Sequence, residues 1–124
     1  MDIDEDLKKD LEMVLGVIDK MGGVDASAVV ARDGSLMASN IPPDVHPEVF
    51  GAMSATMLMA AETAVGELKK GATDFIIIQS KDAKVIAMGA GPTALVVTMI
   101  SPATALGLIL MEMERASEKI KALM

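Results

Sequence analysis

The sequence predicts a three-layer α/β/α sandwich, in which a five-stranded, mostly antiparallel sheet lies between helices and the elements run α-β-β-α-β-β-β-α. Three observations predict it. Apolar residues recur at helical spacing in three separate segments, while tight-turn residues join the other apolar segments into a hairpin and a meander. Those strand segments are apolar at nearly every position, as in Phe75-Ile76-Ile77-Ile78 and Leu95-Val96-Val97, so both faces of the sheet need a cover of helices.

From Asp4 to Lys20, Leu7, Leu11, Val14, Leu15 and Ile18 fall on one helical stripe, with Lys8, Lys9, Glu12 and Asp19 off it. Asp4, Glu5 and Asp6 suit its N-terminus, where carboxylates meet the positive end of the helix dipole. Gly22-Gly23 ends it, since glycine readily takes the left-handed conformation of a helix C-terminus. Val24 to Ala31 reads as a strand, Arg32-Asp33-Gly34 as a tight turn and Ser35 to Ser39 as the antiparallel partner. Asn40-Ile41-Pro42-Pro43-Asp44 cannot continue a ladder, because two prolines remove donors and fix φ. A second helix follows, with Asp44 or His46 as cap and Pro47 in its first turn, and runs to about Lys70 before Gly71. Three strands come next: Phe75 to Ser80, Val85 to Met88 and Thr93 to Ile100, joined by Lys81-Asp82 and by Gly89-Ala90-Gly91-Pro92. Ser101 as cap and Pro102 at the first position open a last helix, whose buried stripe is Leu106, Ile109, Leu110, Met113, Ile120 and Leu123.

One domain over residues 1–124 accommodates these elements, because a second core would leave each half near the size at which cores become marginal. Apolar residues make up 52% of the chain, enough to offset the conformational entropy lost on folding. A formal charge of −7, with no stretch of interleaved basic and aromatic residues, argues against a nucleic-acid partner. Cysteine is absent, so there is no disulfide framework, thiolate nucleophile or sulfur metal site, and a reducing compartment is permitted. The acidic start, Met1 to Asp6, lacks the basic and apolar regions of a secretory signal, and a cytoplasmic location is expected. Val85 to Met111 carries no charge, which raises the question of a membrane span; Gly89-Ala90-Gly91-Pro92 and Ser101-Pro102 cut it into pieces too short to cross one.

The second helix carries the most information about function. Val49 to Ala61 has no charged residue, whereas a surface helix ordinarily keeps charge on the side away from the core. At about 100° per residue, Phe50, Met53, Met57, Ala61, Ala64 and Leu68 form one stripe, flanked by Leu58 and Val65, which is assigned to the sheet. The opposite stripe, Gly51, Ala52, Ala55, Thr56, Met59, Glu62, Thr63 and Gly66, is assigned to an interface, since small residues let a second helix approach closely. Burying Met59 contributes ~1.5–3 kcal/mol against an association cost on the order of 4–15 kcal/mol, so the helix alone is marginal. The strand Phe75, Ile76, Ile77 and Ile78 supplies a second contribution, because it has no charge or proline to guard it at a sheet edge. Pairing of two such edges about a two-fold axis predicts a homodimer with the second helices side by side.

Gly23-Val24-x-Ala26 leading into Val29-Val30-Ala31-Arg32-Asp33-Gly34-Ser35-Leu36-Met37-Ala38-Ser39 resembles the opening hairpin of the Roadblock/LC7 family. Ala52-Met53-Ser54-Ala55 in a small-residue helix, the Glu67-Leu68-x-x-Gly71 ending and a final amphipathic helix are similar to the segments that follow in that family. The resemblance covers nearly the whole chain. It implies a profilin-like roadblock fold, dimerisation through the second helix and an edge strand, and service as a platform for small Ras-like GTPases or motor complexes. In some members the dimer regulates a GTPase's nucleotide cycle. The family shares no catalytic residue, so none is carried over, and no cofactor is expected.

Other motifs favour structural roles. Gly89-Ala90-Gly91-Pro92-Thr93-Ala94 fits G-x-G-x-x-A, but the phosphate chemistry of that motif needs a helix directly after it, and a strand follows here. His46 is the only histidine, so a zinc site or a nucleophilic relay would rest on it alone. Arg32 stands on a loop where an arginine finger could stand, yet nothing else marks that loop, and a turn residue is the favoured reading. The sequence therefore predicts a non-enzymatic homodimeric scaffold. Its alternative is a sensor that binds a small apolar ligand beneath the second helix, and an enzyme ranks third because no polar cluster has catalytic spacing.

Overall fold

The structure, a computed structural model, describes residues 4–124; Met1 to Ile3 of the acidic start lie outside the described residues. Helix α1 spans Glu5–Asp19, and Asp4 caps it by accepting a hydrogen bond from Leu7 N–H at 2.7 Å. Strands β1 (Val24–Ala31) and β2 (Leu36–Asn40) form the hairpin, α2 spans Pro47–Glu67, and β3 (Phe75–Gln79), β4 (Lys84–Ala90) and β5 (Ala94–Ile100) form the meander before α3 (Leu106–Leu123). This is the predicted order, and every strand pairing is antiparallel, in the spatial order β2-β1-β5-β4-β3.

Because strand side chains alternate between faces, the apolar runs feed two cores at once. On one face Val29, Ile86, Val96 and Ile100 meet Leu11, Leu15 and Ile18 of α1 and Ile109, Met113 and Ile120 of α3. On the other, Ala28, Val30, Ala87, Leu95 and Val97 receive Ala55 and Leu58 of α2. The uncharged segment 85–111 is divided among β4, β5 and the start of α3. It is α2, with 21 residues, that is long and apolar enough by composition to cross a membrane, and one of its faces is packed on the sheet.

Two boundaries differ from expectation. The last helix begins at Leu106 with Ala105 at its cap position, not at Ser101-Pro102. Ser101 N–H donates to Gly23 O at 2.9 Å and Ser101 O accepts from Thr104 N–H at 3.1 Å, so these residues are spent on a turn docked against the end of the α1–β1 connection. The positive φ of Gly23 belongs to the same contact, since a Cβ there would collide with the Thr104 side chain. Secondly, β4 continues through Gly89 to Ala90, leaving only Gly91 to Thr93 for the turn. Gly89 pairs with Leu95 within the strand, and a side chain there would meet the Arg32 guanidinium, since a Cβ would come within 2.8 Å of Nη2.

Candidate protein-interaction site

Helix α2 starts at Pro47, whose missing N–H costs nothing in a first turn; His46 occupies the cap position but its side chain makes no capping bond. Gly51, Ser54, Ala55 and Leu58 are buried and form the face that meets the sheet. Close approach decides this orientation. A Cβ at Gly51 would lie 3.2 Å from Leu36 Cδ2 and 3.3 Å from Gly34 O, and one at Gly34 would lie 3.1 Å from Ala52 Cα. The start of α2 thus rests almost backbone to backbone on the β1–β2 turn, and Leu58 is fully buried among Val30, Leu95 and Val97.

This corrects the assignment of stripes. Of the residues assigned to the sheet, Phe50, Ala61 and Val65 are half-buried, whereas Met53, Met57, Ala64 and Leu68 are exposed, Met53 by 51% and Leu68 by 68%. Of those assigned to an interface, Gly51 and Ala55 face the sheet, Ala52 and Glu62 are half-buried, and Thr56, Met59, Thr63 and Gly66 are exposed. The physical reason is that a helix apolar almost all round has no phase for spacing to read, and the small residues permit a closer seat than the methionines would.

The outer surface of α2 is nonetheless uncharged, as expected, from Val49 to Ala61, but it is built mainly of Val49, Met53, Met57, Met59 and Ala60. Thr56 and Thr63 donate their hydroxyls to Ala52 O at 2.8 Å and Met59 O at 2.9 Å, so neither seeks an outside acceptor. Two flanks can be told apart. Ala52 and Glu62 lie toward the β1–β2 turn, whereas Ala61, whose carbonyl accepts from Thr73 Oγ1 at 3.5 Å, lies toward the approach to β3. Met57, Ala64 and Leu68 share the Ala61 flank by helical spacing. Beside them runs β3, at the sheet edge, paired with β4 alone and carrying neither charge nor proline between Phe75 and Gln79. Ile76 and Ile78 are half-buried, Phe75 packs into the α1/α3 core, and Ile77 is exposed on the edge.

Arg32 holds the other flank. Its Nη1 donates to Glu62 Oε1 at 2.7 Å and its Nη2 to Gly91 O at 3.1 Å, a geometry that ties the β1–β2 turn to α2 and to the β4–β5 turn. The guanidinium is thereby engaged within the chain. In the same turn, hydrogen bonding from Ser35 to Asp33 holds the Asp33 carboxyl below its usual value, and Ser35 N–H lies 2.9 Å from Oδ1. Among the described residues no group of three or more His, Asp or Glu could hold a metal ion. The G-x-G-x-x-A segment runs from β4 through a turn into β5, with no helix N-terminus after it.

The α-β-β-α-β-β-β-α order around an antiparallel five-stranded sheet is the profilin-like roadblock fold. Residues 10–99 match the Roadblock/LC7 domain, and the chain belongs to that family. It is 36% identical over 113 residues to the uncharacterised protein MJ1340 of Methanocaldococcus jannaschii, covering 91% of this chain and 98% of that one. In fold it is similar to Myxococcus xanthus MglB, with a TM-score of 0.89 at 14% identity over 99% of this chain and 93% of that chain. The gliding protein MglB of Thermus thermophilus is similar as well, with a TM-score of 0.83 at 17% identity over 98% and 93% of the two chains.

Proposed function

We propose that the protein is a non-enzymatic, cytoplasmic homodimeric scaffold that docks or regulates a small Ras-like GTPase or a component of a motility complex. The observation that carries the reading is the uncharged outer surface of α2 lying beside the unguarded β3 edge. Antiparallel pairing of two β3 strands about a two-fold axis satisfies both free edges and makes one sheet of two. That operation sets the two α2 helices next to each other, with Met53, Met57 and Ala64 of each flank between them. Membership of the Roadblock/LC7 family supports the partner class, and the gliding protein of T. thermophilus supports the motility reading. Beneath α2, Gly51 and Leu58 sit closely on the sheet, which favours the scaffold over a sensor with a pocket there.

Two measurements test the proposal. Light scattering gives the mass in solution, expected to be that of a multiple of the chain for the wild type and to fall on Met57→Asp. Affinity capture from native lysate is then run with GTP or GDP added, and a small GTPase is expected in one nucleotide state. A wild-type monomer ends the scaffold reading, and recovery of no GTPase and no motility component in either state ends the partner assignment.

A further inference from the structure

The sheet has a second free edge, at the opposite end from β3. In the order β2-β1-β5-β4-β3, β2 is paired with β1 alone, and a dimer joined through β3 leaves its two β2 strands at the outer ends. Leu36 to Asn40 carry neither charge nor proline, two of the devices that keep an edge from accepting another strand. The direction of the backbone groups follows from the hairpin. Arg32 N–H donates to Thr93 O on the β5 side of β1, and Ala31 N–H donates to Ser35 O on the β2 side. Alternation then turns Val29 and Ser27 toward β2, where they meet Ala38 and Asn40, and leaves the N–H and C=O of Ser39 pointing outward. Among the described residues no backbone partner outside the sheet reaches either group, and Ser39 and Asn40 are exposed. The register shift between Val29 and Val30 takes up Met37, on the turn side of this stretch.

Beside this edge, on the face covered by α1, is a recess of about 270 Å³ lined by Glu12, Leu15 and Asp19 of α1 and by Ser39 and Asn40. It is smaller than the roughly 300–1,000 Å³ of small-molecule sites and suits a single long side chain. Its charge is all of one sign. Asp19 Oδ1 accepts from Ser27 Oγ at 2.6 Å and Oδ2 from Asn40 Nδ2 at 2.9 Å, which fixes that carboxylate at the end of β2. Glu12 is exposed, and among the described residues neither acid is in an ion pair. A strand laid against β2 sends every second side chain to the α1 face, where a lysine or arginine reaches the recess and its two carboxylates. A second copy does not fit. Antiparallel pairing of two β2 strands about a two-fold axis would line one seam with Glu12 and Asp19 of both chains.

We propose that the β2 edge is a docking site for an extended segment of a partner protein, which adds to the sheet through Ser39 and places a lysine or arginine in the recess at Glu12 and Asp19. Main-chain hydrogen bonds then supply attachment, and the recess supplies the choice of sequence.

The test uses short peptides with blocked ends, one alternating lysine with valine and one alternating glutamate with valine. Each is titrated into the isotope-labelled protein while the backbone amide signals are followed. The lysine peptide is expected to shift the Ser39 and Asn40 amides and to bind about tenfold more tightly than the glutamate peptide. Glu12→Lys is expected to remove most of that preference without disturbing the fold, since Glu12 is exposed. Ser39→Pro deletes the outward N–H, spares the ladder to β1 and is expected to abolish binding of the lysine peptide. The amide map and Glu12→Lys decide the matter even if Ser39→Pro unfolds. Binding is expected in Met57→Asp as in the wild type, so its outcome is separate from that of the α2/β3 contact. Absence of binding by the lysine peptide overturns the proposal. Shifts confined to β3 overturn it by placing the added strand at the other edge. Unchanged binding to folded Ser39→Pro overturns it by showing charge attraction without strand pairing.

Discussion

Arg32 joins three parts of the chain that are far apart in sequence, through Glu62 of α2 and the carbonyl of Gly91. Its pair is neither buried nor free, with side-chain exposures of 22% and 32%, so solvent takes part of its Coulomb energy. Its Nε–H is buried with no partner, which offsets some of the gain. Arg32→Ala is therefore expected to cost roughly 1–2 kcal/mol, with a coupling to Glu62→Ala of roughly 0.5–1.5 kcal/mol in a double-mutant cycle followed by urea unfolding. A coupling near zero would mean that the pair does not hold α2. Arg32 is legible from sequence as a turn residue, because Asp33-Gly34 beside it marks a hairpin. Its partner was not, since no local pattern connects positions thirty residues apart. For the same reason Gly89 reads as part of a turn and proves to be a strand position cleared for a guanidinium.

At the scale of elements, the seat of α2 depends on Gly34 and Gly51. Gly34 has a φ of +94° and lies under Ala52, so a methyl group there faces both an unfavourable backbone conformation and a clash with the helix. Gly34→Ala is expected to cost on the order of 1–3 kcal/mol in urea unfolding, and more than Gly66→Ala, whose Cβ would meet nothing within 4 Å. Equal costs would remove the argument for a close seat. The strands and α1 are legible because apolar runs bounded by turn residues, β-branched in β3 and β5, mark the strands, and one charged face marks the helix. The existence of α2 was legible too, but not its rotation, since an alanine, glycine and methionine helix offers apolar residues in every direction. Which side goes inward is settled by how near the backbone can come to Leu36 and Gly34, a property of two elements together. The start of α3 differs from the sequence expectation for a similar reason, as Ser101 has the chemistry of a helix cap and instead bonds to Gly23 across the fold.

For the whole molecule, association couples stability to concentration. If copies join through α2 and β3, each tenfold rise in concentration adds about 1.4 kcal/mol of apparent stability per dimer. The thermal midpoint of the wild type is expected to rise with concentration over a hundredfold range, and that of Met57→Asp to be less dependent on it. Identical slopes would place the coupling elsewhere than α2. The strand order has its own consequence, separate from assembly. In the centre of the sheet β1 is joined to β5, with Ala28 opposite Val97, so its second neighbour is the last strand made. During synthesis the first hairpin therefore presents a bare flank of N–H and C=O groups until β5 has emerged, and α1 lies over an unfinished floor. Closing so distant a pairing is slow, and it exposes the nascent chain to misassociation for as long as synthesis of those later residues lasts.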